Sequence, residues 1–132
     1  MPDIDIVDST WICARPAVVA ALIAEPSNWR RWWPDLDLAV DEWRGDKGVR
    51  WTVRHARRGA VGSMEIWLEP AHDGVVAHYF LRLDAANGRP MRPGRIRRES
   101  DRQRRRMKTV FWALGDRLDP GRVSRISTPP GM

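Results

Sequence analysis

Val49-Arg50-Trp51-Thr52-Val53-Arg54-His55 and, beyond a turn, Gly62-Ser63-Met64-Glu65-Ile66-Trp67-Leu68-Glu69 decide how this chain folds. In both stretches apolar and polar residues alternate, the period of a strand with one face buried and the other in water. Arg57-Arg58-Gly59 between them and His72-Asp73-Gly74 after the second are residue types that close hairpins. If both turns close, Trp51 falls beside Met64 and Ile66 beside Tyr79. One sheet face then carries Val49, Trp51, Val53, Met64, Ile66 and Leu68, continued by Ala77, Tyr79, Leu81 and Leu83. The opposite face is mostly polar, with Arg50 placed to pair with Glu65 and with Trp67, His78 and Phe80 among charged neighbours. Adding a strand ahead of the turn Arg44-Gly45-Asp46-Lys47-Gly48 predicts four consecutive antiparallel strands between Leu36 and Asp84.

Upstream, residues 3–13 lack Gly and Pro, place Ile4 and Ile6 on one face and predict a further strand. Pro16 opens a short helix whose Val18, Val19, Leu22 and Ile23 recur at helical spacing, and Pro26 stops it. Ser27 is placed to cap a second short helix carrying Trp29, Trp32 and Trp33 on one face, ended by Pro34. Downstream, residues 85–98 are rich in Gly, Pro and Arg and predict a loop. Met107, Val110, Phe111, Leu114 and Leu118 then form the narrow stripe of an amphipathic helix, with Arg102, Arg105, Arg106 and Lys108 away from it. Asp119-Pro120-Gly121 ends that helix, and 120–132 has little to bury and is expected to be a flexible tail. These elements bury their apolar faces together if the sheet curls around the last helix, an α+β domain over 1–119.

The chain has 132 residues, enough for one core, with 42% hydrophobic and 30% charged residues and eight tryptophans. No apolar run approaches the ~20 residues of a membrane span, and the acidic start Met1-Pro2-Asp3-Ile4-Asp5 is unlike a signal peptide. A cytoplasmic location is expected. The single cysteine, Cys13, excludes an intrachain disulfide and reads as a core filler. The net charge of +6 is unevenly spread. Between Arg89 and Lys108 ten basic residues face only Glu99 and Asp101, a local +8 that leaves the remainder at −2. Such a block suits phosphates of nucleic acid or an anionic membrane surface; the solvated face of a helix accounts for it as well.

Pro26-Ser27-Asn28-Trp29-Arg30-Arg31-Trp32-Trp33-Pro34 and Gly62-Ser63-Met64-Glu65-Ile66-Trp67-Leu68-Glu69-Pro70, followed by Asp73-Gly74 and an apolar strand, carry a resemblance. With the order of elements, they resemble small bacterial members of the START / polyketide cyclase–dehydrase (SRPBCC) superfamily over roughly residues 3–119. The resemblance implies the helix-grip fold. It also implies a hydrophobic cavity between sheet and C-terminal helix for a lipid, isoprenoid or polyketide-like molecule, and in some members cyclisation or dehydration. Longer members carry about two more strands before the last helix. A grip without them is either more open or covered by a second subunit, for which Trp67, Phe80 and Val76 offer an apolar contact.

Catalysis in such a cavity needs a proton donor or acceptor, and His55 and Tyr79 are the polar groups that fall on the apolar face. A rim histidine in water and a core tyrosine with one hydrogen-bond partner are the simpler readings of the two. The ligand-binding candidates are Trp29, Trp32, Trp33 and Trp51, whose flat rings stack on conjugated ligands, with Met64, Ile66, Tyr79, Phe111 and Leu114 completing the wall. Ordinary packing is the alternative. His55, His72 and His78 have no ligand-like spacing and no Gly-rich phosphate loop precedes a helix, so neither a metal nor another cofactor is expected.

Overall fold

The computed structural model describes residues 2–118. The helix end at Asp119 and the tail 120–132 lie outside them. The order is β1 (Ile4–Ile12), α1 (Pro16–Ile23), α2 (Pro26–Trp32), β2 (Asp37–Trp43), β3 (Gly48–His55), β4 (Ala60–Ala71), β5 (Gly74–Ala85) and α3 (Pro93–Leu118), with single 3-10 turns before and after β3. All strand pairs are antiparallel, in the spatial order β1-β5-β4-β3-β2.

The alternation in the hairpin strands sets the register. Trp51 stands opposite Met64 and Ile66 opposite Tyr79. From Val49 to His55 buried and exposed residues alternate along β3, and Trp51, Met64, Ile66, Tyr79 and Leu81 are fully buried against Met107, Val110, Phe111 and Leu114 of α3. Burying each such side chain stabilises the fold by about 1.5–3 kcal/mol. α3 is also tied to β1 by Lys108 Nζ and Asp8 Oδ2, 3.0 Å apart. Gly48 has φ of +122°, and Gly59 has φ of +61° in the turn between β3 and β4, both in the left-handed half of conformational space that suits glycine.

Four local expectations change. Arg50 does stand opposite Glu65, but its guanidinium lies 3.5 Å from Asp41, while Glu65 pairs with Arg44 from the turn before β3. Glu25, not Ser27, caps α2: its carboxylate accepts from Ser27 N–H at 3.3 Å, and Ser27 donates its hydroxyl to the same oxygen. The loop after β5 is shorter than residues 85–98, because α3 already begins at Pro93, a residue suited to a helix's first turn. Ile96, Glu99, Ser100 and Gln103 extend its inward face by two turns. Finally, Arg102 and Arg106 are not simply solvated; they turn toward the α2–β2 connection and pair there.

Candidate functional site

Three elements converge at one end of the grip. The connection after α2 supplies Pro34 and Asp35, the last residue of β3 supplies His55, and α3 supplies Glu99, Arg102 and Arg106, which share one helix side at spacings of three, four and seven. Pro34, Asp35, His55, Arg102 and Arg106 line a depression of about 440 Å³ bounded also by Asp37 and Arg57, with Glu99 beside His55. His55 forms its floor. Sequence reasoning placed it on the rim in water; it is fully buried, because the strand end tucks beneath α3. His55 Nε2 lies 3.3 Å from Asp35 Oδ2, 3.4 Å from Glu99 Oε1 and 3.3 Å from Arg102 Nη2. Its Nδ1 has no hydrogen-bond partner among the described residues.

Charge balance governs the cluster. Two carboxylates, Asp35 and Glu99, face two guanidiniums, Arg102 and Arg106, with Arg106 paired directly to Asp35. Burial lowers the His55 pKa and outweighs the opposing pull of Asp35 and Glu99, with Arg102 and Arg58 adding to the lowering. The histidine is therefore neutral at pH 7 and able to accept a proton. Burial pushes Glu99 upward, but hydrogen bonds from Arg102 and Gln103 and the Arg102 charge overcome it, leaving Glu99 below its ordinary value and ionised.

Asp35, His55 and Glu99 present three ligand-type atoms within 4.8 Å of one another, a trio that spacing along the chain did not reveal. Arg102 Nη2 stands among them, 2.8 Å from Glu99 Oε2 and 3.9 Å from Asp35 Oδ2. A guanidinium already takes the place of a bound cation here.

A second depression, of about 330 Å³, continues along α3 from the same Pro34 and Arg106 and is lined by Trp32, Val110, Ala113, Thr109 and Arg31. Of the tryptophans read as ligand-binding, Trp32 alone lines it. Trp33 and Trp51 are fully buried, with ring centroids 6.0 Å apart, and Trp29 meets Trp51 edge-on at 5.5 Å. Trp33 stacks on Tyr79 at 6.4 Å, and Tyr79 meets Phe111 at 6.1 Å. Together with Met64, Ile66 and Leu114 these rings fill the space between sheet and helix. Tyr79 donates its hydroxyl to Met64 Sδ at 3.4 Å, and complete burial raises its pKa. Of the other histidines, His78 lies on the outer face, stacked on Trp67 and bonded to Ser9, and His72 is exposed in the β4–β5 turn.

A curled five-stranded antiparallel sheet gripping a long C-terminal helix is the helix-grip fold, as expected. Two solved structures share it. The Aha1 dimer from Colwellia psychrerythraea superposes with a TM-score of 0.60 at 13% identity, over 89% of this chain and 98% of that one. DR_A0006 from Deinococcus radiodurans does so with a TM-score of 0.51 at 13% identity, over 80% and 98%. The likeness is one of fold. No family model and no curated protein matches the sequence. No helix among the described residues is long and apolar enough to cross a membrane.

Proposed function

We propose that this protein binds a small amphipathic molecule, with a lipid-, isoprenoid- or polyketide-like body and an acidic or hydrogen-bonding head, at the mouth between sheet and C-terminal helix. The observation that supports this reading is the junction of the two depressions at Pro34 and Arg106. On one side Trp32, Val110 and Ala113 offer apolar area for a ring or chain. On the other Arg102, Arg106 and His55 offer donors and an acceptor for a head group. A body longer than this groove would have to displace Trp33 from the packed interior.

Turnover is a second reading, favoured by one feature: His55 is neutral, backed by two carboxylates, and forms the floor of the polar depression. It is placed as a general base for a bound carbon acid, as dehydration or cyclisation of a polyketide-like substrate requires. A homodimer fits the same protein. On the outer sheet face Val7 stands opposite Phe80 and Trp11 opposite Val76, with Trp67 on the neighbouring strand.

Native mass spectrometry of protein purified without detergent, followed by organic extraction, reads subunit number and retained molecule together. Aryl and alkyl carboxylates are then added in a thermal-shift assay. A discrete adduct, or a rise in Tm that Arg106→Ala abolishes, is the expected result. Neither an adduct nor a rise with any member of the panel removes the binding reading. Incubated ligand that loses water with the native protein and not with His55→Gln distinguishes turnover from binding.

A further inference from the structure

The arginines ahead of and along the first half of α3 are left unused by that site. Arg89, Arg92, Arg95 and Arg98 line one depression of about 770 Å³ at the start of the helix. Arg95 and Arg98 continue into an adjoining one of about 400 Å³ with Arg58 and Arg105. Their carboxylate neighbours are already engaged: Glu99 pairs with Arg102, and Asp101 lies 3.9 Å from Arg104.

Two features make this more than a solvated face. A helix N-terminus carries partial positive charge and favours acidic residues, yet the first turn of α3 has none, and Arg95 stands there with Arg97 and Arg98 directly after it. Like charges gathered at the positive end of a dipole cost stability, and sequences that break such a local rule do so at functional sites. The second feature is Trp112, 56% exposed. Arg98, Arg105 and Trp112 recur every seven residues, two turns apart, and all three are exposed, so they follow one outward stripe. At 1.5 Å per residue the arginines from 95 to 105 extend about 15 Å, a length that suits a chain of phosphates better than one.

We infer that this surface binds single-stranded nucleic acid, its phosphates on Arg95, Arg98, Arg105 and the flanking Arg89 and Arg92, with one base stacked on Trp112. Cationic grooves with an exposed ring on the same track are how strands are held without sequence preference, because every base has a π-face. A sequence pI near 10.8 adds long-range attraction. The surface meets the first site at Arg102, which lines both, but none of its five phosphate-binding arginines lines the groove at Pro34 and Arg106.

Fluorescence anisotropy with a labelled oligo-uridine of about twenty nucleotides, titrated from about 50 to about 300 mM NaCl, tests the inference. About five phosphate contacts give a slope of log K against log salt of about −3.5, since each contributes roughly −0.7. Arg98→Ala with Arg105→Ala, both exposed, should weaken binding at low salt about tenfold or more and flatten the slope by about 1.4. Trp112→Ala should weaken binding and leave the slope unchanged. Circular dichroism establishes that each variant is folded. Absence of saturable binding at low salt, a slope near zero, or an arginine variant that binds like the parent overturns the inference. Capture by phosphatidylserine vesicles without oligonucleotide binding overturns it in favour of a membrane surface. The carboxylate panel should leave oligonucleotide affinity unchanged, so failure of one site is distinguishable from failure of the other.

Discussion

His55 Nε2 lies 3.3 Å from Asp35 Oδ2, a contact that joins the end of β3 to the turn leaving α2. The rest of the polar cluster is arranged around it.

Acid should weaken the fold through the buried His55. Burial holds His55 below its ordinary 6.5, so as the pH drops past that value the unfolded chain takes up a proton the folded protein resists, and stability falls. Above 6.5 the contribution is fully present. Glu99, held below its ordinary 4.5, adds a further loss as the pH falls below that value and through its lowered one. The Tm of the parent should decline from about pH 6.5 downward; His55→Gln should remove the upper part of the decline and keep the lower. A variant that tracks the parent between about pH 7 and about pH 5.5 would place the upper step on another group.

Tyr79→Phe should change little. The hydroxyl's sulfur partner, Met64 Sδ, is a weak acceptor, and the ring contacts with Trp33 and Phe111 survive the substitution. Urea unfolding should give a difference within about 1 kcal/mol, and ligand binding or turnover should be unaffected. A large loss of either would mean that the sealed hydroxyl reaches a ligand after all.

Gly48→Ala should be severe and Gly45→Ala mild. A Cβ on Gly48 would fall inside the van der Waals shell of the Ile66 carbonyl on the paired strand, at a backbone φ of +122°. Gly45, with φ of +57°, has open space around the same position. Losses of about 3 kcal/mol or more against about 1 kcal/mol are expected in urea unfolding. Similar values for both would refute the close approach of β3 to β4.

Strand register was legible because alternation leaves few choices: a slip of one residue at Trp51 or Tyr79 would have put rings in water and arginines in the core. The start of α3 was not. Pro93-Gly94 is turn chemistry, and from there to Gln103 the inward positions are Ile96, Glu99, Ser100 and Gln103, of which three are polar and hide the helical period. The cluster around His55 was hidden for a related reason. Asp35, His55 and Glu99 come from three elements far apart in sequence, and a charged side chain carries no periodic signal that it will be buried. The burial of Glu99 between Arg102 and Gln103 was the missing clue, and only the packing of α3 onto the end of β3 supplies it.

The spatial order β1-β5-β4-β3-β2 sets a timetable for synthesis. Ile4 finds its partner Leu83 only after most of the described chain has been made. On the ribosome, β2 through β5 can zip hairpin by hairpin as they emerge, while β1, with Ile4, Ile6 and Ile12 uncovered, waits for β5. Contacts of such long sequence separation slow folding, and the waiting strand is the segment on which a chaperone or an aggregating neighbour would first take hold.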